Sequence, residues 1–279
     1  MLLRDYMIAE LAGWEQDLTR GWRALLGDVA FDFGAIALDL NIGDPPYLTP
    51  PRRPGRGALH GGSIFRAFSA MEPESVRVLV IGQDPYPLSG RATGRAFEDG
   101  LFSSWERGVA NSLKALRRAA VASRLERSDL LSAKTLPWRS FLRETSDIDE
   151  LRFESMSEWF DRLAGQGVLF VNAAMTLTHY RYGGCREQRA HLDMWRPFMG
   201  GLMRGLADRI ATPPVHLLLG GFAQDLQHRI MVTERDPQVR PASTSVRTVE
   251  HWHPLYHRFL ESNPFDEVNR VLTGTPINW

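Results

Sequence analysis

One cysteine, Cys185, stands in 279 residues, so a disulfide framework and a cysteine-built metal site are both excluded. Lysine is nearly as scarce. Lys114 and Lys134 are the only two, and arginine supplies the rest of the 33 basic side chains, a bias that fits genome composition better than a dedicated phosphate site. Asp and Glu also number 33, and the resulting net charge of zero argues against a wrapped, salt-driven nucleic-acid binder without excluding a local basic face. No apolar run is long enough to span a bilayer, and no charged-then-apolar leader precedes a cleavage site. The chain is therefore expected to be cytoplasmic, with no membrane partner. Neither G-x-G-x-x-G nor a Walker loop occurs, which leaves dinucleotide and nucleoside triphosphate chemistry without support.

What is present is the pattern of a globular α/β protein, with 43% hydrophobic and 24% charged residues, enough for one domain over residues 1–279. Met7, Leu11, Trp14, Leu18, Trp22 and Leu25 recur at three- and four-residue steps and predict one amphipathic N-terminal helix. Short apolar runs at 76–81, 168–171, 215–219 and about 245–249 predict four buried strands. Helices are predicted between and around them, near 63–70, 111–124, 154–165, 191–206, through 226, and at 265–272. Strands alternating with helices imply a three-layer α/β/α fold with a central, mainly parallel four-stranded sheet. The Pro-, Gly- and Arg-rich stretch 52–62 and the charged, irregular stretch 122–150 read as surface insertions.

Each strand end carries something distinctive. The first is followed by Gly82-Gln83-Asp84-Pro85-Tyr86-Pro87, where two prolines remove backbone donors and stiffen a turn bearing a carboxylate and an aromatic ring. The second ends at Asn172, the third at Gly220-Gly221 and the fourth at His251. In a parallel sheet these ends share one rim, where ligands bind. An acid, an amide, a histidine and the rings of Tyr86 and Phe97 suit a planar heterocycle: the amide reads a base edge, the rings stack, and the acid and histidine handle charge. His251, His253 and His257 have spacings open to a metal, but loop histidines more often serve other roles, so no metal and no cofactor are expected.

These segments together resemble the family-1 uracil-DNA glycosylases. The Gly82–Pro87 segment is similar to that family's G-Q-D-P-Y-H, and Ala92-Thr93-Gly94-Arg95-Ala96-Phe97 to its A-H-G-L-A-F. Gln166-Gly167-Val168-Leu169-Phe170-Val171-Asn172 is similar to Q-G-V-L-L-L-N, His251-Trp252-His253-Pro254-Leu255 to H-P-S-P-L, and Thr275-Pro276-Ile277-Asn278-Trp279 to T-P-I-D-W. The resemblance implies a monofunctional glycosylase that flips a base, most simply uracil, and acts on single- or double-stranded DNA as a monomer. It implies that Asp84 stabilises the cationic sugar and orients water, and that a neutral His251 donates to the base O2. It also implies that Phe97 stacks on the base, Asn172 pairs with its edge, Tyr86 excludes a C5 methyl and the Gln83 backbone helps to hold O2. Leu255 would wedge into the duplex, and Ser112 would clamp a phosphate.

The pattern breaks at the DNA grip. Pro87 replaces a histidine, Val109-Ala110-Asn111 replaces a proline run, Gly220-Gly221-Phe222 stands where the family has W-G-S and so loses a phosphate-contacting serine, and His253 stands where a clamping serine is usual. Setting His253-Pro254 against the family's H-P is the competing register, and it would place His257 at the wedge. These breaks keep three other functions in view: excision of a modified pyrimidine, for example from phage DNA in antiviral defence; a non-catalytic DNA-lesion binding module; and a nucleosidase acting on free deoxyuridine.

Overall fold

A computed structural model of the chain describes residues 1–43, 47–53, 62–88, 90–148, 151, 154–208, 210–233 and 246–279. Four strands, β1 (Val78–Gly82), β2 (Val168–Asn172), β3 (Val215–Leu219) and β4 (Thr248–His251), form one sheet in the order β2-β1-β3-β4, and every pairing is parallel. The helices are α1 (Leu3–Leu11), α2 (Arg20–Leu26), α3 (Arg66–Ser69), α4 (Asn111–Arg124), α5 (Trp138–Glu144), α6 (Met156–Gly165), α7 (Arg186–Asp208), α8 (Gly221–His228) and α9 (Pro264–Val271). The expected α/β/α architecture is thus present. Among the described residues no helix is long and apolar enough to cross a membrane.

Strand periodicity sorts the core into two layers. Leu79, Ile81, Leu169, Val171 and Leu218 point to one face, where residues of α1, α2 and α7 cover them. Val78, Val80, Val168, Phe170, Leu217, Leu219 and Val249 point to the other, against α4, α6 and α9. Burial on both faces explains why β1, β2 and β3 read as mostly apolar runs, interrupted in β3 by His216 and ended in β2 by Asn172, rather than as alternating ones. Each such buried aliphatic side chain contributes roughly 1.5–3 kcal/mol.

Two expectations are corrected. The N-terminal stripe is not one helix: α1 ends before Gly13, which has φ +64°, a single turn follows at Trp14–Asp17, and α2 resumes at Arg20. Arg52 holds this break, donating to the carbonyls of Glu10 (2.7 Å), Ala12 (2.7 Å) and Gly13 (2.9 Å) and pairing with Asp17 at 2.5 Å. The carbonyls of Glu10 and Ala12 lose intrahelical donors once the helix stops, so the guanidinium satisfies them, while Gly13 O also accepts from Gln16 N–H at 3.2 Å. Residues 122–148 are likewise more ordered than their charge suggested. Val121, Ala122, Leu130, Phe141 and Leu151 build a small core, and Arg118 lies over the Phe141 ring and donates to Leu130 O (2.7 Å) and Leu136 O (2.8 Å). Of the other expected insertion, 54–61 falls outside the described residues.

Candidate active site

β1 and β2 end in register, with Gly82 opposite Asn172. Beyond the ladder two further bonds join the loops that follow: Ala173 N–H donates to Gly82 O at 2.9 Å, and Ala174 N–H to Gln83 O at 3.0 Å. They hold Asp84 and Asn172 on the same rim. Gly82 is required there, because a Cβ would meet Asn172 Oδ1 at 2.4 Å and Ala96 Cβ at 2.9 Å. Only a residue without a side chain lets the amide and the 92–97 segment close on the strand end.

The rings are fixed by their neighbours. Tyr86 Oη donates to Phe97 O at 3.3 Å, and the Arg91 guanidinium sits over the Tyr86 ring at 4.6 Å while pairing with buried Asp99. Burial pushes the Tyr86 phenol up to about 12, so it stays a donor. Its loop is braced from outside by Thr49 Oγ1 donating to Tyr86 O (3.2 Å) and Tyr47 Oη donating to Pro87 O (2.6 Å). Phe97 has φ +67°, a left-handed conformation that costs a non-glycine residue roughly 1–2 kcal/mol. Such strain concentrates at ligand sites, where it aims a side chain.

A cleft of about 690 Å³ opens between these elements, lined by Gln83, Asp84, Tyr86, Phe97 and Asn172, with Ser112 and His253 also on its wall. Asp84 Oδ2 accepts from Gln83 Nε2 at 3.1 Å. Burial raises the carboxyl to about 6; Gln188 and Gln83 favour the charged form without offsetting that cost, and among the described residues buried Oδ1 closes no hydrogen bond. Asn172 is 6% exposed, and among the described residues its amide has no hydrogen-bond partner, so its donor and acceptor are open to a ligand. Ser112 is the second residue of α4, whose cap, Ala110, offers no side-chain acceptor to the first-turn N–H groups. Among the described residues no group of three or more His, Cys, Asp or Glu could hold a metal ion.

The histidines exchange places with respect to expectation. His251 belongs to β4 and points to the same face as Val249, into the core rather than the cleft. Its ring meets Phe259 edge-on at 5.1 Å, and Nε2 bonds Ser262 Oγ at 2.9 Å. His253, two residues past the strand, lines the cleft, and its Nδ1 accepts from Leu255 N–H at 3.2 Å. Partial burial lowers its pKa, which keeps it neutral. Gly220 makes room for it, since a Cβ there would meet His253 Cβ at 2.7 Å. Leu255 is 65% exposed at the tip of the same turn.

Sequence reasoning missed the far wall. Tyr180, Arg181, Tyr182, Gly183 and Gly184, between β2 and α7, line the cleft. Gln188 anchors them, its Oε1 accepting from Arg181 N–H at 3.1 Å while its side chain faces Asp84. The Tyr-Arg-Tyr-Gly-Gly run carried a readable signal, an aromatic and glycine cluster just after a strand end. Gln188 carried none.

The chain is an α/β/α protein whose strand-end cleft sets an open amide, Asn172, and the rings of Tyr86 and Phe97 beside a carboxylate, Asp84. No family model matches the chain. A curated uracil-DNA glycosylase from Thermobifida fusca is 29% identical over 270 residues, spanning 93% of this chain and 92% of that relative. Another from Streptococcus uberis is 28% identical over 225 residues, spanning 77% and 80%. The crystal structure of the UNG from Nitratifractor salsuginis superposes with a TM-score of 0.56 at 22% identity, covering 95% of this chain and 94% of that one. The mimivirus uracil-DNA glycosylase structure gives a TM-score of 0.50 at 16% identity, covering 100% and 87%. Over most of its length the chain is thus similar to curated uracil-DNA glycosylases, and it shares the fold of the solved UNG structures.

Proposed function

We propose that the protein is a monofunctional DNA glycosylase of base-excision repair, hydrolysing the N-glycosidic bond of a flipped uracil and leaving an abasic site. The observation that carries this reading is the pairing, at one strand-end rim, of a half-buried carboxylate, Asp84, with an open amide, Asn172, between the fixed rings of Tyr86 and Phe97. Departure of the base builds positive charge on the sugar. Asp84 opposes that charge and orients the attacking water through Oδ1. Negative charge grows on the base O2, and His253, rather than His251, donates to it, with the Gln83 backbone alongside. Asn172 reads the base edge and Phe97 stacks on its face. Ser112, with the free N–H groups of the first turn of α4, holds a phosphate, and Leu255 fills the space the base vacates. All of these residues come from one chain, so a monomer suffices.

Uracil is favoured over a C5-substituted pyrimidine because Tyr86 is braced on three sides, by Phe97 O, Arg91 and Thr49. The test is alkali-revealed cleavage of matched single- and double-stranded oligonucleotides containing uracil, with wild type and Asp84→Asn. Breaks that need both uracil and Asp84 support the reading. A well-folded protein that leaves uracil in place in both strand forms overturns it.

A further inference from the structure

Exposed aromatic side chains are distributed very unevenly. Among the described residues the exposed rings of Phe, Trp and Tyr are four: Tyr180, Tyr182, Trp252 and Tyr256. All four sit in the two segments that border the cleft, the first two on its wall and the others flanking His253. Tyr182 is 93% exposed beside Gly183 and Gly184, both at positive φ with open space around them. Trp252 and Tyr256 lie 5.1 Å apart, Arg258 caps the indole at 5.4 Å, and Tyr256 N–H donates to His253 O at 2.8 Å, tying the pair to the cleft. Exposed rings lose favourable burial, so four at one mouth point to a ligand that covers them. With a net charge of zero, the chain has little long-range attraction for phosphates.

We infer that Tyr180 and Tyr182 on one side of the cleft, and Trp252 and Tyr256 on the other, stack on the unpaired bases that flank the target nucleotide in single-stranded DNA. The protein then grips its strand by base faces more than by phosphate charge. Every base has a π-face, so the grip is indifferent to sequence, while a duplex, whose neighbouring bases stay stacked on each other, cannot use it. The inference rests on the proposed reading that the cleft takes a nucleotide of DNA.

The test is equilibrium binding of labelled oligonucleotides to Asp84→Asn protein, with and without uracil, so that stacking is decided even if uracil is never excised. Removing Tyr182 or Trp252 as alanine is expected to weaken single-strand binding roughly 5- to 100-fold each, and phenylalanine is expected to restore most of it. Replacing the flanking bases by abasic spacers is expected to cost the parent protein the same factor and to cost the alanine variants little more. In the otherwise wild-type enzyme the loss falls on KM, with kcat held. Tyr182 touches nothing that folding needs, so its variant remains informative if Trp252→Ala is unstable. Single-strand binding within twofold of the parent in Tyr182→Ala and Trp252→Ala, or undiminished binding to spacer-flanked strands, overturns the inference.

Discussion

The backbone N–H of Leu255 donates to Nδ1 of His253, and that bond selects the ring's tautomer. A neutral imidazole accepting at Nδ1 carries its proton on Nε2, where it can donate into the cleft. Leu255, at the tip of the turn, therefore sets the state of His253. His253→Ala is expected to lower kcat on uracil-containing DNA by roughly 10²–10³-fold, the usual cost of removing one donor to a developing oxyanion. His251→Ala removes a core ring that packs on Phe259 and bonds Ser262. It should lower the melting temperature while leaving kcat of the folded protein within a few-fold. Steady-state kinetics with a parallel thermal melt separates the two, and the opposite pattern would return the catalytic role to His251.

Asp84 links activity and stability with opposite signs. Its carboxyl titrates at about 6 in the folded chain against an ordinary 3.8. Below 3.8 it is protonated in both states. Between 3.8 and 6 only the folded state keeps the proton, so the stability this group contributes is lost as pH rises through that window. A shift of about two units corresponds to roughly 3 kcal/mol. Asp84→Asn should abolish excision yet raise the melting temperature at pH 7.5, with little change at pH 4. Wild-type kcat should rise with pH through about 6, because the ionised carboxylate is the working form. A melting temperature unchanged by Asp84→Asn at pH 7.5 would show that burial does not penalise this charge.

Most of the fold, and part of the layout of the candidate site, is legible in the sequence. Three of the strands and α4 fall at or within two residues of where periodicity put them, because strands buried on both faces leave continuous apolar runs. Asn172 and Asp84 share a rim because parallel strand ends must. His251 lies off the cleft for a physical reason. β4 runs on to His251, so its pleat turns that ring into the core, and a run of five residues does not reveal where pairing stops. The N-terminal stripe misled in a similar way, since helical spacing persists across Gly13 while the backbone does not. Order in 122–148 draws on a small core of its own and on Arg118 satisfying distant carbonyls, which no local pattern records.

Two buried histidines set the acid limit of the fold. His216 faces the layer that holds Leu218, has no hydrogen-bond partner at either ring nitrogen among the described residues, and is pushed down to about 4 by burial. His191 is pushed down to about 3, with Thr176 and Thr178 hydroxyls at its nitrogens at 2.9 and 3.0 Å. Each is neutral in the folded state, so its contribution is intact above the unfolded value near 6.5 and is lost as pH falls toward the folded value. Asp84 acts in the opposite direction over part of that range, but two histidines outweigh one carboxyl. The melting temperature should fall between pH 6.5 and 4.5. His216→Leu, which fills the same space without polar nitrogens, should flatten that fall. Melts of the two proteins across the range decide it, and parallel curves would acquit His216.

On the proposed reading, base choice turns on Tyr86. Its hydroxyl is tied to Phe97 O, its face is covered by Arg91, and its carbonyl is held by Thr49, so the ring cannot swing aside for a bulky C5 group. Wild-type protein should therefore leave thymine and other C5-substituted pyrimidines in place. Tyr86→Ala opens that wall and should bring measurable thymine excision from single strands, with uracil turnover reduced by lost packing. Tyr86→Phe keeps the wall and removes one hydrogen bond worth about 1 kcal/mol. It should hold the discrimination and lose only modestly in kcat/KM. The ratio of kcat/KM for uracil and thymine in the three proteins is the measurement. A wild type that excises a C5-substituted base as fast as uracil would mean that Tyr86 does not guard C5.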